Sequence, residues 1–230
     1  MAYVIQPAPI PVVPVHGGGQ FPVRRIYCVG RNYVEHAQEM GHSGREPPFF
    51  FTKPADTIVP VPEGETGRIV YPSLTKNFHH EIELVVALGQ GGRDIKAADA
   101  KRHIWGYAVG LDMTRRDLQN EAKKQGRPWC IGKAFDEAAP IGPLHSIQST
   151  GLLSQGAITL KVNGQLKQNG DLGDLIWNVG EIIEHLSAGW ALQPGDLIYT
   201  GTPAGVAAVV KGDVMEGQIA GLGTLRVAVV

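Results

Sequence analysis

The chain has 230 residues, with 21 Lys+Arg against 22 Asp+Glu, so its net charge of −1 gives no global attraction to nucleic acid or to an anionic membrane. The length fits one sizeable core, and 30 glycines with 16 prolines suit short strands joined by tight turns better than long helices. The apolar opening MAYVIQPAPIPVVPV is broken by prolines and lacks a basic flank, and no apolar run approaches the ~20 residues that cross a bilayer. A cytoplasmic protein is therefore expected.

In chain order, residues 1–23 read as an extended N-terminal arm or edge strand, and residues 24–230 as one domain. Arg25 to Val29 is a short strand, and Asn32 to Met40 reads as a helix capped by Asn32 and stopped at Gly41. Phe49 to Lys53 is a strand, and prolines 60, 62 and 72 punctuate short strands between Asp56 and Leu74. In the strand His80 to Leu88, a period of two puts Glu81 and Glu83 on one face and Ile82, Leu84 and Val86 on the other. Ala97 to His103 reads as a helix, Ile104 to Leu111 as a buried run that stops at Asp112, and Thr114 to Gln125 as a charged helix. Lys133 follows in a glycine-flanked loop. Asn163-Gly164 marks a hairpin, Ile176 to Ala188 a helix, and Asp196 to Tyr199 and residues 213–230 further strands.

Two carboxylates on one face of an apolar strand repel each other and lose hydration if buried, a conflict that a cation resolves. With Asp112 they form an oxygen-only set suited to a hard ion, Mg²⁺, Mn²⁺ or Ca²⁺. The same residues also fit a solvated strand face and a turn aspartate, and spacing alone leaves both readings open. His36 and Glu39 share a helical face at i and i+3, as an oriented base or as a surface pair. Lys53 and Lys133 are cations in apolar or glycine-rich surroundings, and the Gly201 to Gly205 segment, with Thr202, is an anion nest or a plain turn. His79 and His80 adjoin the acidic strand and are expected to play supporting roles. Cys28 and Cys130 sit in apolar runs without zinc-type spacing and are expected to be buried, reduced thiols.

Eight ordered segments resemble the fumarylacetoacetate hydrolase family, in its short acylpyruvase and fumarylpyruvate hydrolase form. They are GRNYVEHAQEM from Gly30, FFFTKP from Phe49, NFHHEIEL from Asn77, GYAVGLDMTRRDLQ from Gly106, GRPWCIGKAFD from Gly126, KVNG from Lys161, PGDLIYTGTPAGV from Pro194 and IAGLGTL from Ile219. The resemblance implies an α+β fold with a mixed β-roll core and short flanking helices. It also implies a metal, Mg²⁺ or Mn²⁺, held by Glu81, Glu83 and Asp112. It makes His36 and Glu39 a water-activating dyad, Lys133 and Gln119 groups that meet the reacting carbonyl, and Arg116, Lys53 and Thr202 substrate contacts. The implied activity is hydrolysis of a 2,4-diketo acid, 3-fumarylpyruvate, by a homodimer, with Arg45 near a distal carboxylate. Oxaloacetate decarboxylation and an idle metal-binding scaffold are the alternatives. Ala207-Ala208 departs from the glycine that many relatives carry there.

Overall fold

The computed structural model describes residues 3–33 and 45–230. Its strands are β1 (Val12–Pro14), β2 (Gln20–Pro22), β3 (Arg25–Gly30), β4 (Phe49–Lys53), β5 (Ile58–Pro60), β6 (Thr66–Ile69), β7 (Phe78–His79), β8 (Ile82–Leu88) and β9 (Ile104–Leu111). They continue with β10 (Thr114–Arg115), β11 (Ala139–Ile141), β12 (His145–Ser146), β13 (Ala157–Val162), β14 (Gln165–Asp171), β15 (Asp196–Tyr199), β16 (Val214–Ile219) and β17 (Gly223–Val229). The described helices are α1 (Arg116–Lys124), α2 (Cys130–Lys133), α3 (Ile147–Thr150) and α4 (Val179–Gly189).

A mixed eight-stranded sheet runs β4-β3-β15-β8-β9-β11-β5, with β12 also on β9, and a five-stranded sheet runs β14-β13-β16-β17-β6. Alternation on β8 explains how they pack. Ile82, Leu84 and Val86 join the main apolar cluster with Ile158, Leu160, Met215 and Val227 of the smaller sheet, while Val85 and Ala87 face a second cluster with Val13, Phe21 and Leu197. Burying both faces of the central strands accounts for their continuous apolar runs. The fold is α+β, mostly sheet with short helices, as expected.

The N-terminal stretch forms a small antiparallel hairpin, β1 on β2, that seats Val13 and Phe21 in the second cluster. The Asn163-Gly164 turn holds φ of 51° and 78°, the positive pair that a type I′ hairpin requires. The helix expected from Ala97 is present over Ala97–Arg102, in 3-10 form. Several local expectations are corrected. The charged helix begins at Arg116, because Thr114 and Arg115 pair with His79 and Phe78. Lys133 ends the short helix α2 instead of lying in a loop. Cys130 is exposed, although Cys28 is buried as expected. The Asn32 side-chain oxygen accepts from Trp177 N–H at 2.8 Å. Residues 34–44, including most of the helix expected there, lie outside the described residues.

Candidate active site

The acidic cluster is built by strand register. Ile82 pairs with Leu111 across β8 and β9, which sets Glu81 opposite Asp112, and Asp112 N–H donates to Glu81 O at 2.8 Å. Glu83, two residues along, returns to the same face. One oxygen from each of Glu81, Glu83 and Asp112 lies within 4.8 Å of the others. All three residues are buried, at 5 %, 2 % and 1 % exposure, which rules out the solvated-face reading that spacing left open. Gly110 faces Glu83, and a Cβ there would meet Val85 Cγ2 at 2.4 Å and the Tyr199 ring at 2.7 Å. Only glycine admits the close approach on this side of the cluster.

Three cations close around the carboxylates. Lys133 Nζ donates to Glu81 Oε2, Asp112 Oδ2 and Thr114 Oγ1, each at 2.7 Å, so all three ammonium protons are used. Burial works against its charge, but Asp112 and Glu81 outweigh that and hold its pKa above the ordinary lysine value. Lys53 Nζ lies 2.8 Å from Asp112 Oδ1 and donates to the carbonyls of Met113, at 3.2 Å, and Lys133. Arg116, at the start of α1, donates from Nη2 to Glu81 Oε1 and from Nη1 to Gln119 Oε1. Helix α2 lies so close to α1 that a Cβ at Gly132 would sit 2.8 Å from Gln119 N. That contact brings Lys133, Gln119 and Arg116 to one spot.

Glu83 is the least compensated member. Burial, then Asp112 and Glu81, push its carboxyl well above the usual range, against the pull of Lys133 and of Gly201 N–H, which donates to Oε2 at 2.8 Å. A cavity of about 20 Å³ lies among Glu81, Glu83, Asp112 and Lys133, room for one small ion or water. An all-carboxylate donor set, an uncompensated buried carboxyl and a cavity of that size together fit a hard divalent ion.

Supporting contacts come from distant segments. Gln168 of β14, fully buried, donates to Thr202 Oγ1 and Pro203 O at 2.8 Å each, and its Oε1 contacts His80 Nδ1 and accepts from Ile82 N–H. His79 lies 2.8 Å from Asn77 Oδ1 and 3.4 Å from Arg116 Nε. Burial and the Arg116 charge hold the His79 pKa at about 4. Asn32 donates to Trp177 O and Thr200 O, pinning the end of β3 to the segment that carries Gly201 and Thr202. Nothing in the sequence singled out Gln168, whose partners lie far along the chain, or Thr114, whose hydroxyl donates to Asp112 O at 3.0 Å and accepts from Lys133.

The structure thus gathers Glu81, Glu83, Asp112, Lys133, Arg116, Gln119 and Thr202 around one cavity, with Lys53 against Asp112. His36 and Glu39 lie outside the described residues. Arg45 pairs with Glu181 and stacks 4.3 Å from the Trp177 ring, and it lines neither this cavity nor the adjoining cleft. That cleft, of about 530 Å³, has Phe49, Phe50, Phe51 and Trp129 on its walls.

A mixed sheet presenting buried carboxylates interleaved with cations fits a divalent-metal protein of this α+β class. Residues 25–230 match the family described as fumarylacetoacetate (FAA) hydrolase C-terminal, and the chain belongs to that family. It is 48% identical over 185 residues to a fumarylpyruvate hydrolase of a Ralstonia species, covering 80% of this chain and 93% of that one. The crystal structure of fumarylpyruvate hydrolase from Pseudomonas aeruginosa in complex with Mn²⁺ and pyruvate superposes with a TM-score of 0.98 at 54% identity, covering 100% of this chain and 99% of that one. A mitochondrial oxaloacetate decarboxylase of Dictyostelium discoideum is 39% identical over 201 residues, 87% of this chain and 91% of that one.

Proposed function

We propose that the chain is a divalent-metal-dependent hydrolase that cleaves 3-fumarylpyruvate to fumarate and pyruvate. The observation that carries the reading is the buried Glu81, Glu83, Asp112 cluster bonded to Lys133, in a chain 54% identical to a fumarylpyruvate hydrolase structure that holds Mn²⁺ and pyruvate. The three carboxylates would hold Mg²⁺ or Mn²⁺, which as a Lewis acid polarises oxygens of the diketo acid and spreads developing negative charge.

Charge counting supports an anionic substrate. Three carboxylates, Glu81, Glu83 and Asp112, are balanced by three cations, Lys53, Arg116 and Lys133, so a divalent ion adds two positive charges to a neutral set. A dicarboxylate such as fumarylpyruvate restores the balance. Glu39 orients His36, which takes a proton from the attacking water. Lys133 turns a donor from Glu81 or Asp112 to the oxyanion formed at the distal carbonyl. Gln119 meets the same carbonyl, while Lys53, Arg116 and Thr202 hold the pyruvate end. Carbon–carbon cleavage then releases the acid and the pyruvate enolate, which takes up a proton.

Oxaloacetate decarboxylation is the second reading, favoured by the similarity to the Dictyostelium enzyme. It needs the enolate but no attacking water. A catalytically idle scaffold is disfavoured by the intact array of buried cations. The exposed Tyr3, Val4, Ile5 and Ile10 support a homodimer through the N-terminal arm, checked by mass in solution. Two free cysteines support a reducing, cytoplasmic setting, and among the described residues no helix is long and apolar enough to cross a membrane.

The test follows diketo absorbance of fumarylpyruvate with Mg²⁺ or Mn²⁺ and after chelation, beside oxaloacetate turnover and a His36→Ala variant. Metal-dependent loss that His36→Ala abolishes, faster than oxaloacetate turnover, is expected. Turnover of oxaloacetate alone assigns the decarboxylase, and silence with both substrates removes the hydrolase reading.

A further inference from the structure

Gln168 is fully buried on β14, although Leu166 and Lys167 just before it face solvent. Residues two apart on a regular strand share a face. Here the pairing with β13 slips: Leu160 opposes Gln168 and Lys161 opposes Leu166, so Lys167 is the extra residue of a β-bulge. The bulge turns Leu166 outward and Gln168 inward. An amide aimed into a dry interior has to find its hydrogen bonds there.

The backbone fixes which way that amide points. Ile82 N–H can only donate and Pro203 O can only accept, so Oε1 faces Ile82, at 3.1 Å, and Nε2 faces Pro203, at 2.8 Å. Oε1 also accepts from His80 Nδ1, and the second amide proton goes to Thr202 Oγ1, at 2.8 Å each. The amide is then fully used. Thr202 therefore accepts from Gln168, which leaves its single hydroxyl proton to donate, and among the described residues no acceptor takes it. Thr202 lines the carboxylate cavity beside Arg116, Gln119 and Lys133, whereas Gln168 is not part of that lining. Glycines let the Thr202 loop sit down on β14: a Cβ at Gly205 would collide with Lys167 O, and one at Gly170 would lie 2.8 Å from Pro203 Cβ.

We infer that Gln168 is a positioning residue for substrate binding: by donating to Thr202 Oγ1 it aims the Thr202 hydroxyl proton at an oxygen of the substrate's pyruvate end. The inference rests on the reading that Thr202 holds that end. A threonine hydroxyl without such a neighbour turns among its staggered positions and both donates and accepts. Held by a buried amide, it presents a donor alone, so the group it meets has to be an acceptor, as a carboxylate oxygen is. Because Gln168 reaches the cavity through Thr202, its amide should matter to the substrate only while the hydroxyl is present. A Gln168 that served packing alone would cost the same whatever stood at position 202.

The test is a double-substitution cycle on the Mn²⁺-loaded full chain: Gln168→Met, Thr202→Val and both together, with Gln168→Met also placed on Thr202→Ser. Fumarylpyruvate kinetics and calorimetric binding of pyruvate are the readouts. Gln168→Met is expected to raise KM and the pyruvate Kd by roughly five-fold, the worth of one hydrogen bond, with kcat within about two-fold. Added to Thr202→Val it should cost less than about two-fold more, and on Thr202→Ser, which keeps the hydroxyl, the roughly five-fold loss returns. Losses that multiply in the double variant, or wild-type KM and pyruvate affinity in Gln168→Met, overturn the role while leaving the hydrolase standing. Where Gln168→Met does not fold, Gln168→Glu takes its place in the cycle. Its carboxylate still accepts from Ile82 and His80 but takes the Thr202 proton away from the cavity, so the same loss is expected. Pyruvate binding that follows the cycle supports the role even where fumarylpyruvate is not turned over, and a wild type that does not bind pyruvate overturns it.

Discussion

Replacing Glu83 by glutamine should uncouple the stability of the fold from its metal affinity. At an effective dielectric of about 20, two full charges 4.8 Å apart repel by roughly 3.5 kcal/mol, and Glu83 faces both Asp112 and Glu81 within that distance. Its raised pKa means that the native protein binds a proton more tightly than the unfolded chain does. In chelator, the stability that this proton confers is present below the unfolded carboxyl pKa and is lost as pH rises through the folded value. Glutamine keeps the shape and removes the charge, so Glu83→Gln in chelator should be at least as stable as the wild type at pH 8, with a flatter pH profile. An ion at 100 times its Kd adds about 2.7 kcal/mol, or roughly 5–11 °C of Tm for a chain of this size. The variant, missing one of three ligands, should show under about 2 °C. Thermal melts with EDTA and with Mn²⁺ read both effects. A variant that melts well below the wild type in EDTA, or keeps the full Mn²⁺ shift, would refute the reasoning.

Lys133→Met strips the ammonium from Glu81 and Asp112 and should cost about 3–5 kcal/mol in chelator, roughly 6–20 °C of Tm, partly restored by Mn²⁺; an unchanged melt contradicts the buried ion pairs. Asn32→Ala leaves Trp177 N–H, Trp177 O and Thr200 O short of a partner and should cost about 2–3 kcal/mol by urea unfolding. His79, held neutral with a pKa of about 4, contributes stability that is present above its unfolded pKa near 6.5 and is lost as pH falls from there towards 4. His79→Gln should flatten the metal-free stability profile in that window, and an identical profile would exclude His79 as its source.

The sequence displayed the acidic cluster better than its surroundings. Asp112 stood out because an apolar run stops at it, and Glu81 and Glu83 because strand periodicity gives them one face. Whether that face was wet or dry was not legible, since dryness comes from Lys53, Arg116 and Lys133, which sit on other elements. The hairpin at Asn163-Gly164 was readable because its turn chemistry is local. The helix expected at Thr114 started late because two residues were captured by a partner strand at Phe78–His79, a long-range event that propensity does not encode. Gln168 was invisible for the same reason: its partners lie in two distant segments, at His80 and Ile82 and at Thr202 and Pro203.

The acidic cluster stands at the start of β8 and the end of β9 in the middle of the eight-stranded sheet, whereas the aromatic cleft is walled by β4, the outermost strand, and by the turn after α1. The carboxylate cluster and the cleft leading to it therefore lie in parts of the molecule with different mechanical consequences. Changes among the central strands disturb a packed interior on both faces, while changes along the border alter what enters and leave the interior seated. Such a scaffold can acquire a new acid as substrate by rewriting its margin, and carry the same carbon–carbon chemistry unchanged from one metabolite to the next.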